Sequence, residues 1–251
     1  MNFNLPGIPN RAEKPRKYGI TMMMDKGLSV REAESFCETA AEYTDLVKFG
    51  FGTGLLVNNI EEKIKIYRSA GIRPYFGGTM LEAFVIRNMF DEFCGFITKY
   101  KMDLAEVSDG SMEMKHADKL GYIEKLSKMV TVVSEVGSKK ADVEIPTEQW
   151  VQMMQDELSA GSWKVIAEAR ESGNVGVYNK NGSANTDMID QIMKSVKPED
   201  IIWEAPIKSQ QVYFIKLIGP NVNLGNIDVR EVVPLETIRL GLRGDTFSDF
   251  L

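Results

Sequence analysis

Four glutamates, Glu106, Glu135, Glu168 and Glu204, recur in one local setting. Each closes a short apolar run and is followed by Val or Ala. In each case an apolar residue stands two positions earlier: Leu104, Val133, Ile166 and Ile202. The same spacing links Leu46 to Lys48 and Met23 to Asp25, and it carries on from Glu168 to Arg170. On an extended strand, residues two apart share a face. The charges are therefore expected to point the same way as the apolar interior. A slip of one residue would reverse the assignment on a strand. A single in-phase glutamate reads most simply as part of a polar plug of salt bridges. Several of them, together with Lys48, Lys139 and Arg170, ask for more, because buried charge is costly unless paired or metal-bound. A hard cation held by carboxylate oxygens meets that need. Mg²⁺ is the expected ion, with Glu106, Glu135, Glu168 and Glu204 as its ligands.

Features suited to anions stand beside these carboxylates. Gly77, Gly78 and Thr79 lead into a helical segment, where free backbone N–H groups suit a phosphate or sulfonate. Gly225 and Asn226 follow the eighth apolar run, where barrels often hold phosphate, although Asp228 close behind opposes an anion. Lys208 and Gln210 offer a cation and an amide in the seventh connection. Lys26, Ser138 and Asn223, also near run ends, complete the expected substrate-binding set. For each glycine pair the plainer alternative is a tight turn. One histidine, His116, cannot form a zinc cluster and is expected to face solvent, which disfavours zinc and a Ser-His-Asp mechanism. Cys37 and Cys94 fall in no metal or redox spacing and read as small hydrophobes in a reducing compartment. The run Gly50-Phe51-Gly52-Thr53-Gly54 imitates a dinucleotide fingerprint, but Leu55 stands where its last glycine belongs.

The elements that must position these groups follow from periodicity. Apolar runs at 20–24, 45–49, 73–76, 104–107, 131–134, 164–167, 201–203 and 221–224 alternate with segments of helical period. Ser29 and Glu32 form a capping box, and Asp228 with Glu231 repeats the pattern before the last helix. Residues 59–71 put Ile60, Ile64 and Tyr67 on one face and stop at Gly71; residues 147–160, with Trp150 and Met154, stop at Gly161. Strict alternation implies parallel strands with right-handed crossovers. Eight units in 251 residues fit a single α/β domain, a (β/α)8 TIM-type barrel over 18–251 behind an N-terminal arm at 1–17. Strand C-terminal ends, where the charges sit, are where such barrels place their chemistry. The 14 methionines, Met22 to Met24 among them, read as adaptable core filler. A net charge of −6 argues against a nucleic-acid partner. No run approaches the roughly 18 apolar residues of a membrane span, and the start lacks the apolar segment of a signal peptide. The cytoplasm is the expected location.

The segments VKFGFGTG, FGGT, EVSDGS, SEVGSK, EARESG, EAPIKSQQ, NVNLGNI and LETIRLGLRGDTF together resemble the phosphosulfolactate synthase family. The likeness runs from about Lys14 to Phe247. The chain departs from the common pattern at Phe51, Gly54 and Gly225, none of which removes a charge. The resemblance implies a lyase that joins sulfite to phosphoenolpyruvate with Mg²⁺, giving 2-phospho-3-sulfolactate for coenzyme M or sulfolactate synthesis. It also implies a β/α barrel and a homo-oligomer. In that scheme Lys139 protonates the carbon that bears phosphate, with Lys140 behind it. Lys48, Arg170 and Lys208 hold phosphate and sulfite. Two other readings stand beside it. One is a barrel lyase or aldolase on a phosphorylated keto acid, with a lysine Schiff base. The other is a non-enzymatic stress-associated protein, since the family also includes plant heat-stress proteins.

Overall fold

The computed structural model describes residues 5–137, 145–169 and 172–250. Strand and helix alternate: β1 (Thr21–Asp25), α1 (Val30–Ala40), β2 (Leu46–Phe49), α2 (Ile60–Ser69), β3 (Arg73–Phe76), α3 (Gly78–Val85) and α4 (Phe90–Lys99). There follow β4 (Leu104–Val107), α5 (His116–Ser127), β5 (Thr131–Val136), α6 (Thr147–Ser159), β6 (Ser162–Ala167) and α7 (Thr186–Ser195). The chain ends with β7 (Ile201–Glu204), α8 (Lys208–Ile218), β8 (Leu224–Asp228) and α9 (Val232–Arg239). All strand pairs are parallel, in the order β3-β2-β1-β8-β7-β6-β5-β4. The sheet curls until β3 and β4 lie side by side, giving a nearly closed (β/α)8 barrel. Side chains fasten this seam. Arg73 on β3 donates to Asp103 and to Thr131 Oγ1 (2.9 Å). At the other end of the seam the Gly78 N–H reaches Glu106 on β4.

The local signals work as their chemistry requires. Ser29 and Glu32 close the capping box of α1. Ile60, Ile64 and Tyr67 are buried along α2, and Gly71 behind it takes φ +71°. A buried shell between sheet and helices includes Val47, Phe76, Val107, Ile123, Trp150 and Trp203. A second core fills the barrel: Ile20, Met22, Leu46, Tyr75, Leu104, Val133, Ile166 and Ile202. Gly225 faces the same space, where a β-carbon would collide with Met22 and Ile202.

Two expectations are corrected here. Met23 packs outward against the helices and Met22 inward, so Asp25 points away from the barrel mouth. Asp25 instead pairs with Lys63 (2.7 Å), accepts from Tyr67 (2.7 Å), and accepts from the Gly27 and Leu28 amides. Three consecutive methionines are equally apolar, so period two assigns neither face of this strand to the interior. The eighth strand starts at Leu224 rather than ending there. Gly225 and Asn226 belong to it, where the pairing with β1 shifts register and Asn226 adopts φ +59°. Gly and Asn read as strand breakers, yet here they build a bulge. Asp228 consequently closes β8, and Glu231 caps α9 without a side-chain bond.

Candidate active site

Two residues beyond the apolar interior layer lies a charged layer: Lys48 above Leu46, Glu106 above Leu104, Glu135 above Val133, Glu168 above Ile166 and Glu204 above Ile202. All five are buried. The expected phase thus holds on these five strands and fails on β1, where Met24 takes the place above Met22. Lys48 Nζ lies 2.9 Å from Glu106 Oε1, 3.1 Å from Glu135 Oε2 and 3.5 Å from Glu204 Oε1. An ammonium has three protons to donate, and three carboxylates surround it. Burial opposes its charge, but Glu106, Glu135 and Glu204 outweigh that and hold its pKa well above the ordinary lysine value. The three carboxylates thus favour the charged form of Lys48.

The carboxylates are held individually. Glu106 Oε1 also accepts from the Gly78 N–H at 2.6 Å, at the start of α3. The expected anion cradle at Gly77 and Gly78 is thus already used: Gly77 N–H goes to the Phe49 carbonyl and Gly78 N–H to Glu106. A β-carbon at Gly78 would collide with Ser108. Glu204 Oε2 accepts from the Ala169 N–H (2.9 Å) and Asn226 Nδ2 (3.5 Å), and Tyr178 holds the Glu204 carbonyl (2.6 Å). Burial pushes Glu204 up to about 7, Lys48 opposes, and Glu135 and Glu106 add to the rise. Burial likewise raises Glu106, with Lys48 opposing. Like charges in a dry site disfavour each other's ionisation.

Glu135, Glu168 and Glu204 present carboxylate oxygens that all lie within 4.8 Å of one another. This is a donor set for a hard divalent cation. Lys48 borders this cluster through Glu135 and Glu204. The fit covers three of the four expected ligands. Glu106 lies outside the cluster and serves Lys48 and the seam.

The cluster floors a cavity of about 460 Å³, lined also by Met24, Lys48, Phe51, Thr79, Ser111, Ser172 and Asn226. That volume suits a small ligand. Thr79 and Asn226 line this cavity, Asn226 from within β8 rather than from the loop expected after it, and Phe51 of the GFGTG run borders the mouth. Other expected binding residues lie elsewhere. Asn223 sits at the opposite end of the barrel, accepting from Ile20 N–H and donating to the Glu199 and Ile201 carbonyls. Gln210 donates to the Gly173 and Gly182 carbonyls and so holds the connection after β6. Lys208 is exposed and pairs with Asp245 (3.0 Å). Lys26 pairs with Asp228 (3.6 Å) along a separate groove between α1 and α9. Ser138, Lys139, Lys140 and Arg170 lie outside the described residues. His116 opens α5 half-buried, and, contrary to the expected solvent-facing side chain, both its ring nitrogens are buried, 3.7 Å from Asp156 and 4.0 Å from Glu157.

Three buried residues at this end escaped the sequence reading. Tyr75 stands in the interior layer, its phenol pKa raised by burial and by Glu106. Glu82 on α3 accepts from Ser108 Oγ and from the Ser111 N–H (2.7 Å). Lys119 on α5 contacts Asp109 and Glu135. Glu82 and Lys119 lie on helices, beyond the reach of a strand-end rule.

Among solved structures, 3-hexulose-6-phosphate synthase matches with TM-score 0.56 at 14% identity, covering 87% of this chain and 99% of that one. That likeness supports the barrel fold. The phosphosulfolactate synthase of Methanothermobacter thermautotrophicus is 41% identical over 246 residues, covering 96% of this chain and 95% of the relative. The Bacillus subtilis phosphosulfolactate synthase is 39% identical over 243 residues, 96% of each chain. The model of the (2R)-phospho-3-sulfolactate synthase (ComA) family matches residues 9–245. On these grounds the chain belongs to the phosphosulfolactate synthase family.

Proposed function

We propose that this chain adds sulfite to phosphoenolpyruvate, giving 2-phospho-3-sulfolactate, with Mg²⁺ held by Glu135, Glu168 and Glu204. The observation that carries the reading is the buried three-carboxylate cluster at the cavity, in a chain of this family. Bound there, a divalent ion supplies positive charge for the substrate carboxylate as negative charge develops on it.

The rest follows from the chain's own groups. Sulfite is a competent nucleophile near neutral pH, so no base is needed to activate it. Its sulfur lone pair forms the new bond to the methylene carbon. The C=C electron pair moves toward the carboxylate as an enediolate and returns to take a proton at the carbon bearing phosphate. Lys139, three residues beyond β5, is assigned as that proton donor, and Arg170 as a bidentate clamp on one anion. Lys48 fixes the orientation of Glu135 and Glu204 and neutralises part of their charge. Without such compensation, each close anion pair would oppose binding by about 4 kcal/mol at intermediate dielectric. Thr79, Ser111, Ser172 and Asn226 offer polar contacts from the cavity wall. The product would feed coenzyme M or sulfolactate synthesis.

The test is direct. Purified protein with phosphoenolpyruvate, sulfite and Mg²⁺ should form phosphosulfolactate, detected by mass spectrometry. Lys139→Ala should abolish turnover and leave the melting temperature unchanged. Full activity in EDTA would remove the metal from the scheme. Absence of product from folded, metal-loaded protein would remove the reaction itself.

A further inference from the structure

Lys119 is fully buried on α5, between the sheet and α6. Its Nζ donates to Asp109 Oδ1 at 2.8 Å and to the Glu135 carbonyl at 2.6 Å, and it pairs with Glu157 Oε1 at 2.8 Å. Three donors meet three oxygens from three elements: the connection after β4, the end of β5, and α6. Burial disfavours the charge, but Glu157 and Asp109 keep the group protonated. A buried ion pair is poor evidence of stabilisation, because apolar side chains of equal volume often do as well. The distinctive consequence of this arrangement is positional.

Two of the three oxygens belong to parts of the mouth. The Glu135 carbonyl is the backbone of a residue whose carboxylate joins the cluster. Asp109 lies in the loop that carries Ser111 to the cavity wall. Glu82 grips that loop from its other side through Ser108 and Ser111. We infer that Lys119 is a positioning residue. From outside the barrel, it fixes the main chain of Glu135 and the 108–111 loop so that both face the cavity correctly. This rests on the reading above, in which Glu135 helps to hold a divalent cation. Such outer contacts typically change metal affinity or activity by about 10- to 100-fold.

Three variants separate position from stability. Lys119→Met removes all three contacts and should weaken Mg²⁺ binding and turnover by about 10- to 100-fold. Glu157→Gln breaks the same ion pair but leaves Lys119 on Asp109 and Glu135. It should lower the melting temperature while Mg²⁺ affinity, read by calorimetry on metal-stripped protein, stays near wild type. Lys119→Met/Glu157→Leu should regain the melting temperature and keep the weak binding. The inference is overturned if Lys119→Met and Glu157→Gln lose affinity together, or if the double variant recovers it. If wild type neither binds Mg²⁺ nor makes product, the reading of the site fails. Amide hydrogen exchange then decides the positional claim. Faster exchange at 108–111 and 135–137 in Lys119→Met than in Glu157→Gln supports it, and equal exchange overturns it.

Discussion

At the N-terminal end of the barrel, Arg239 is fully buried and spreads its donors over the carbonyls of Pro220 (2.7 Å), Val222 (2.7 Å) and Ile20 (3.3 Å). Arg11 beside it reaches Glu236 (2.8 Å), the Pro220 and Gly19 carbonyls, and Asn221. Lys14 and Arg16 likewise donate to backbone carbonyls, and Arg16 pairs with Asp45 (3.1 Å). At the C-terminal end the signs reverse, with Lys48 among Glu106, Glu135, Glu168 and Glu204. Burial lowers Arg239 to about 9, with Arg11 adding to the fall, whereas surrounding carboxylates drive Lys48 upward. The lower surplus of cations is answered by fixed carbonyl dipoles and needs no ligand. The upper carboxylates Glu135, Glu168 and Glu204 instead border a cavity, with Lys48 among them. One end is closed by its own backbone, and the other opens on a cavity where the proposed function places a divalent cation.

Removing the central cation from each end tests that contrast. Lys48→Met should reduce turnover by about 10³-fold, the scale of losing a preorganised electrostatic partner; near-normal steady-state rates would erase the asymmetry. Arg239→Met should leave kcat unchanged and cost about 3–5 kcal/mol of stability, as breaking a buried polar network does, measured by denaturant unfolding. A fall in kcat there would show that the lower end also serves catalysis.

Proton linkage gives a smaller effect. The folded value of Glu204, about 7, lies above its usual value near 4.5. The folded state thus holds this proton longer than the unfolded chain. Its contribution to stability is fully present below the unfolded pKa and is lost as pH rises through about 7. Metal-stripped protein should melt lower at pH 8 than at pH 5, and Glu204→Gln should flatten that slope. Equal slopes would place the proton elsewhere. Smallest of all, Asp25→Asn should change turnover only slightly, because Asp25 binds Lys63 and Tyr67 behind the barrel wall. A large loss of kcat would restore Asp25 to the mouth.

The charged layer was legible because period two leaves little freedom once a strand has one clear apolar face, as at Leu46–Lys48 and Val133–Glu135. It was illegible where that contrast vanished. Met22, Met23 and Met24 are equally apolar, and β8 carries a bulge at residues that usually end strands. Strand-end position alone also proved too generous. Asn223, Gln210, Lys208 and Lys26 have the right types for anions, yet carbonyls or nearby carboxylates already claim them. Glycine amides at 77 and 78 had the right geometry, but Glu106 and the Phe49 carbonyl occupy it. Lys119 and Glu82 act across helix packing, which a one-dimensional pattern does not encode.

The most direct test of the upper end is Mg²⁺ titration of metal-stripped protein, wild type against Glu135→Gln, Glu168→Gln and Glu204→Gln, with Arg239→Met as control. The account predicts one site per chain, weakened at least about tenfold by each glutamine, as loss of a ligating or outer-shell carboxylate would do. Binding in the Arg239 variant should match wild type. Mg²⁺ affinity indifferent to all three glutamates would contradict it.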